Sequence, residues 1–256
     1  MPFMPGKSIN RRKASAGDVI KNTWQKMAFM KRDLVITIDG PAGAGKSTVS
    51  KALAAKFSYC CLDTGAFYRA YAYKAKQADV RPDDDESLTE LGRNLQMQCR
   101  NTGGRWRLFL DGREVTDGMI RTEEIGLLAS TISARPCVRN ILLEIQRAVG
   151  AQGGIVAEGR DMGTVVFPAA DFKFYLDATA AERIKRRYKE TVDEEVAADY
   201  AKISQGIIRR DKQDMEREIA PLVPATDAHV IDSTNMTVKE VVDKMILLMS
   251  SHTGRV

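Results

Sequence analysis

Gly40-Pro41-Ala42-Gly43-Ala44-Gly45-Lys46-Ser47 fits G-x-x-x-x-G-K-[ST] in full, and its flanks constrain this chain more than any other feature. Ahead of it, Leu34-Val35-Ile36-Thr37-Ile38 reads as a buried strand, and behind it Thr48 to Phe57 reads as a helix. Strand, glycine-rich turn and helix in that order bring backbone N–H groups together at a helix N-terminus, where the peptide dipoles favour an anion. Glycines at 40, 43 and 45 keep Cβ atoms away from the phosphates. The motif assigns residues 40–48 to a nucleoside triphosphate, with ATP as the expected donor. Lys46 is spaced to reach its β- and γ-phosphates, and the Ser47 hydroxyl to bind Mg²⁺.

The chain keeps this rhythm to its end. Tyr59–Leu62, Gly154–Ala157, Phe172–Leu176 and His229–Ile231 are further short apolar runs, separated by helical patterns long enough for parallel crossovers. The expected fold is α/β: a P-loop three-layer α/β/α arrangement around a five-stranded parallel sheet. One stretch departs from it. Leu95–Cys99, Arg105–Leu110 and Glu114-Val115 are strand-like and divided by Asn101-Thr102-Gly103-Gly104 and Asp111-Gly112, which predicts a small antiparallel insert over about residues 80–120.

Charge separates a tail from this body. The net charge is +5, but residues 1–32 alone carry +7 and the remainder −2, so a nucleic-acid-binding body loses its support and only the tail could contact RNA. Residues 1–32 have no sustained period and read as a disordered basic extension, residues 33–256 as the catalytic domain. No run of eighteen apolar residues exists, and Cys60, Cys61, Cys99 and Cys137 have no C-x-x-C spacing. A disulfide or zinc framework is excluded, and a cytoplasmic protein with reduced cysteines is expected.

Such a loop serves switches, motors and kinases alike. The guanine-reading N-K-x-D is absent, which argues against a GTPase switch, and the arginines favour a kinase with an anionic acceptor. Arg69 follows the second strand and Arg160 the third, where open α/β sheets bind ligands. Arg210 and Arg217 are expected on one helix, seven residues apart, with Asp214 between them on the same face. Guanidinium forks match phosphate oxygens, and an acceptor phosphate with a second pKa of about 6 needs no general base. Glu182–Lys189 holds five positive residues in eight, and a basic helical lid is expected over about 178–195.

The chain resembles the bacterial cytidylate (CMP) kinases. The matching blocks are Ile36–Pro41 running into the loop, Asp63-Thr64-Gly65-Ala66-Phe67-Tyr68-Arg69, Gly159-Arg160-Asp161-Met162-Gly163-Thr164-Val165-Val166-Phe167-Pro168 and Ala220-Pro221-Leu222-Val223-Pro224-Ala225, over about residues 33–247. Ser47-Thr48 stands where some relatives have Gly-Thr, which keeps the metal-binding hydroxyl. The resemblance implies transfer of the ATP γ-phosphate to CMP or dCMP, and a monophosphate-binding insert. It implies that Thr64, Arg69, Arg160 and Arg210 hold the acceptor phosphate with Arg217 nearby, that Tyr68 and Asp214 take the ribose, and that Ser130, Arg139 and Asp161 read cytosine. It also sets Arg186 against the adenine. The catalytic set is then Lys46, Arg160, Arg210 and Arg217. Alternatives are a monophosphate kinase for UMP or AMP, or a regulatory nucleotide binder with an RNA-binding tail. The expected partners are ATP and CMP or dCMP, with no membrane, and the protein is expected to be a monomer.

Overall fold

The apolar run ahead of the glycine-rich loop forms β1 (Val35–Asp39), and the loop opens directly into α1 (Lys46–Phe57), so Lys46 and Ser47 sit on the helix's first turn. The computed structural model describes residues 33–102, 105–193 and 199–252. The basic extension (1–32), the Gly103-Gly104 turn and the end of the expected lid (194–195) lie outside the described residues. After α1 come β2 (Cys60–Asp63), α2 (Thr64–Gln77), α3 (Asp85–Arg93), β3 (Met97–Thr102), β4 (Arg105–Leu110), β5 (Arg113–Glu114), α4 (Asp117–Ile120), α5 (Glu123–Ile132) and α6 (Pro136–Gly150). Then follow β6 (Ile155–Gly159), a π-turn (Met162–Val166), β7 (Phe172–Asp177), α7 (Ala180–Asp193), α8 (Tyr200–Glu216), β8 (His229–Asp232) and α9 (Val238–His252). Among the described residues, 33–242 belong to one compact unit and 243–252 to a second.

The expected five-stranded parallel sheet is present, in the order β2-β6-β1-β7-β8. Its central strands are apolar on both faces because helices cover both: Ile36, Ile38, Val156 and Ala157 are fully buried. From β1 the chain crosses to β2 and returns through β6, then passes to the other side of β1 for β7. The glycine-rich loop therefore leaves β1 where the strand order reverses, the usual position of a ligand crevice in such sheets. Asp39, Asp63, Asp177 and Asp232 close β1, β2, β7 and β8, and Glu158 stands one residue before the end of β6, so carboxylates line that edge.

The three short strands form the antiparallel sheet β3-β4-β5. Asp111 and Gly112 turn the β4–β5 hairpin with φ of 50° and 78°, the double positive φ that twisted two-residue hairpins need. Its inner face does not form a core of its own. Met97, Leu108 and Leu110 pack into the same buried cluster as Phe67, Tyr71 and Leu142. One expectation is corrected: α8 ends at Glu216, and Arg217 is its C-cap in an extended conformation (φ −65°, ψ 139°) rather than a helical residue.

Candidate active site

The loop is closed around glycines that leave no room for a side chain. A Cβ on Gly40 would stand 2.0 Å from the Leu176 carbonyl oxygen, and one on Gly43, at φ +75°, 2.8 Å from that of Arg183. Pro41, Ala42, Ala44 and Gly45 complete the turn, and Thr48 is exposed beyond it. Lys46 is buried and donates to the Pro41 carbonyl at 2.7 Å, which curls its ammonium back over the loop. Burial pushes its pKa well down, and Arg160 and Arg210 repel it further, against the pull of Glu158 and Asp214. Ser47 Oγ donates to Glu158 Oε2 at 2.9 Å, while Oε1 of the same carboxylate is buried without a partner. Burial, then repulsion from Asp63, holds the Glu158 pKa above the usual carboxylate range.

α7 lies against this loop. Arg183 is buried, donates to the carbonyls of Ala42 (3.0 Å) and Ala178 (2.9 Å), and pairs with the buried Asp211 of α8. Arg186 donates to the Ala44 carbonyl at 3.4 Å and the Ser233 carbonyl at 2.7 Å, so it spans the loop and the end of β8.

Arg160 and Arg210 stand close enough to Lys46 to repel it, Arg69 neighbours Arg210, and Arg217 shares Asp214 with them. Arg160 donates through Nε to Asp214 Oδ2 at 2.7 Å; burial opposes its charge, but Asp214 raises its pKa. Arg69 pairs with Asp63 at 2.8 Å and leaves its Nε buried and unpartnered. Arg210, on the exposed side of α8, has no hydrogen bond or ion pair among the described residues. Although much of its surface meets solvent, partial desolvation by the surrounding side chains and then the neighbouring Arg160 draw its pKa down to about 10. Arg217 bonds the Ala220 carbonyl at 2.6 Å and approaches Asp161 (3.7 Å) and Asp214 (3.9 Å), yet its Nη2 is buried without a hydrogen bond. Buried donors without a hydrogen bond are costly, and Arg69 Nε and Arg217 Nη2, with the unpaired Arg210, are what a bound anion would satisfy. Thr64, the first residue of α2, donates its hydroxyl to the Glu158 carbonyl at 2.7 Å and so sits at the same edge.

At the far end the pair Arg139–Asp161 is almost wholly buried, and Arg139 also donates to the Ser133 carbonyl at 3.2 Å. Burial raises the Asp161 pKa, opposed by Arg139 and Arg217. The Arg139 guanidinium lies 5.7 Å from the Tyr68 ring centre, whose phenol burial pushes up to about 12. Ser130 Oγ donates to Gln213 at 3.0 Å, and Gln213 returns a bond to the Ser130 carbonyl at 3.1 Å, which ties α5 to α8.

Asp161 owes its position to Asp39. The buried Asp39 carboxylate accepts the N–H groups of Met162 and Gly163, each at 2.8 Å, and so grips the start of the π-turn that follows Asp161. Val166 and Phe167 close that turn with bonds to the carbonyls five residues back. Arg147 holds its far end through the carbonyls of Val165 (2.8 Å) and Val166 (3.1 Å).

Lys46, Ser47, Thr64, Arg69 and Arg160 lie at the ends of β1, β2 and β6, Arg139 reaches Asp161 from α6, Arg186 stands at the β8 end, and Ser130 is engaged with Gln213. Sequence reading missed Glu158, Asp39, Arg183, Asp211 and Gln213. An acid ending the apolar run Ile155-Val156-Ala157 was a usable signal for Glu158; Arg183 and Asp211 give none, because each is explained only by the other.

The cytidylate kinase family model matches residues 36–251. The chain is similar to the cytidylate kinase of Citrifermentans bemidjiense, 48% identical over 85% of this chain and 93% of that protein. It is also similar to those of Geobacter sulfurreducens (46%, over 84% and 92%) and Actinobacillus succinogenes (43%, over 86% and 100%). Among the described residues no helix is long and apolar enough to cross a membrane.

Proposed function

The chain belongs to the cytidylate kinase family, and from that premise we propose that it transfers the γ-phosphate of ATP to CMP or dCMP, giving ADP and CDP or dCDP. The observation that carries the reading is a surplus of cationic donors: Arg210 has no partner among the described residues, and Arg69 Nε and Arg217 Nη2 are buried without a hydrogen bond. Two phosphate groups brought together would satisfy all of them.

In this reading residues 40–48 cradle the ATP phosphates and Arg186 lies on the adenine side. Thr64, Arg69, Arg160 and Arg210 hold the acceptor phosphate, with Arg217 beside them. Tyr68 and Asp214 take the ribose; Ser130, Arg139 and Asp161 read the base. Cytosine offers an amino group next to two acceptors, which a carboxylate–guanidinium pair complements, whereas uracil reverses the first two positions, presenting O4 and N3–H, and shares only the O2 acceptor. Residues 80–120 form the monophosphate-binding part, and α7 is the lid.

An acceptor phosphate oxygen attacks the γ-phosphorus in line; the new O–P bond forms as the bond to the β-phosphate oxygen breaks, and the electron pair leaves with ADP. The acceptor is already ionised, so no side chain needs to remove a proton. Lys46 and the arginines neutralise the charge spread over the transferring oxygens and hold the two phosphates at reacting distance. A Mg²⁺ ion fits Ser47 Oγ and the buried, unpartnered Glu158 Oε1, both hard oxygen donors. Bound with ATP, it would supply further charge neutralisation. A chromatographic assay that follows ADP and CDP together tests the reading: equal amounts are expected, and ADP without CDP would overturn it.

A further inference from the structure

Asp63 closes β2 and caps α2, and its two oxygens have different work. Oδ1 accepts the backbone N–H of Ala66 at 3.1 Å. Oδ2 accepts from two guanidinium groups at once, Arg69 Nη2 at 2.8 Å and Arg121 Nη2 at 2.9 Å. The arginines arrive from different parts of the fold. Arg69 stands on α2, and Arg121 caps the C-terminal end of α4, where its Nε also pairs with Asp117 at 2.8 Å. Burial works to raise the Asp63 pKa, and the two arginines together overcome it. One carboxylate thus carries two cationic partners, one more than its charge requires.

On the functional reading above, Arg69 is wanted elsewhere. Only Nη2 of Arg69 bonds Asp63 while its buried Nε lacks a partner, so a guanidinium plane that swings its other nitrogens onto the acceptor phosphate draws Nη2 away from Asp63. Were Arg69 the sole partner, that turn would leave a carboxylate with 23% side-chain exposure uncompensated at the head of α2. It would also expose Glu158 to undiminished repulsion from Asp63. We propose that Arg121 is a positioning residue for the acceptor site: it keeps Asp63 paired and α2 capped while Arg69 moves to the acceptor phosphate. The proposal rests on the cytidylate kinase reading. Arg121, with 42% side-chain exposure against 15% for Arg69, is the partner that stays behind on the insert side.

The test is steady-state kinetics of the full-length protein and of Arg121→Gln, Arg121→Lys, Arg69→Gln and the Arg69→Gln/Arg121→Gln double variant, with calorimetric titration of cytidine, which lacks the phosphate. Arg121→Gln is expected to raise KM for CMP about tenfold, with KM for ATP and kcat changed less than about twofold. Arg121→Lys restores most of the loss, and cytidine affinity stays at the wild-type value. In the Arg69→Gln background, Arg121→Gln adds less than about twofold, because Arg121 acts through Arg69. A full additive loss in that background, an equal loss of cytidine affinity, or no effect of Arg121→Gln on an active enzyme would overturn the proposal alone. Wild-type protein without CMP-dependent turnover would instead overturn the functional reading beneath it.

Discussion

The Arg139 guanidinium donates to Oδ2 of Asp161, and the two side chains are only 7% and 4% exposed. A pair so deeply buried is poor value for stability alone, since desolvation takes back most of what the attraction gives. On the proposed reading, its use is recognition of the base. Asp161→Asn removes the charge and half of the acceptor capacity with little change of shape. KM for CMP is expected to rise about 10- to 100-fold while KM for ATP stays within about twofold, and UMP closes part of its gap to CMP. Steady-state kinetics with the three nucleotides check this; an equal loss for ATP and CMP would reassign Asp161 to structure.

Lys46 stands in the opposite relation to stability. Its ammonium is buried and crowded by Arg160 and Arg210, so the folded protein works to keep it charged. Lys46→Met is expected to lower kcat by at least about 100-fold. Its thermal midpoint should equal or exceed that of the wild type. A variant that retained turnover would remove the glycine-rich loop from the chemistry.

The Asp39 carboxylate gives a pH dependence of stability. Burial, the largest influence, holds its pKa at about 6 against an ordinary 3.8. A folded-state pKa above the unfolded one means a contribution fully present below pH 3.8 and lost as pH rises through about 6. Asp39→Asn removes that titration. The stability of wild type relative to Asp39→Asn should therefore be greatest near pH 4 and shrink toward pH 7, by roughly 3 kcal/mol at most. Urea unfolding of both proteins at several pH values measures it; a difference that grew with pH would contradict the assignment.

Gly43→Ala tests the packing of α7 on the loop. The added methyl would meet the Arg183 backbone at 2.8 Å from a φ of +75°, where L side chains are strained. The loop or α7 must shift, and ATP affinity is expected to fall at least about tenfold, since the loop's N–H groups no longer converge. Fluorescence titration with a nucleotide analogue reads the loss.

Much of this was legible in the chain. The five parallel strands are visible because strands buried on both faces are continuous apolar runs, and the β4–β5 hairpin because Asp111-Gly112 supplies the turn's double positive φ. Arg69 and Arg160 could be placed because each follows a strand end, and Arg210 because it lies on the helix with Asp214. What was not legible is long-range pairing. Arg183 sits in a basic stretch that reads as a helical lid, and only Asp211, 28 residues on, explains its burial. Asp39 looks like the ordinary end of a strand until Met162 and Gly163 arrive more than a hundred residues later. The end of α8 was overrun by one residue because helical periodicity carries no stop signal at Arg217.

On the proposed reading, one edge of the sheet holds a phosphate donor and a cytosine-bearing acceptor together. A coupled ADP-release assay with Mg-ATP and CMP, dCMP, UMP, AMP, GMP or no acceptor, run side by side, tests it most directly. Strong turnover with CMP and dCMP, weak turnover with the other three and little without an acceptor is the expected result. Turnover that is independent of the acceptor, or that favours AMP, GMP or UMP over CMP, would contradict it.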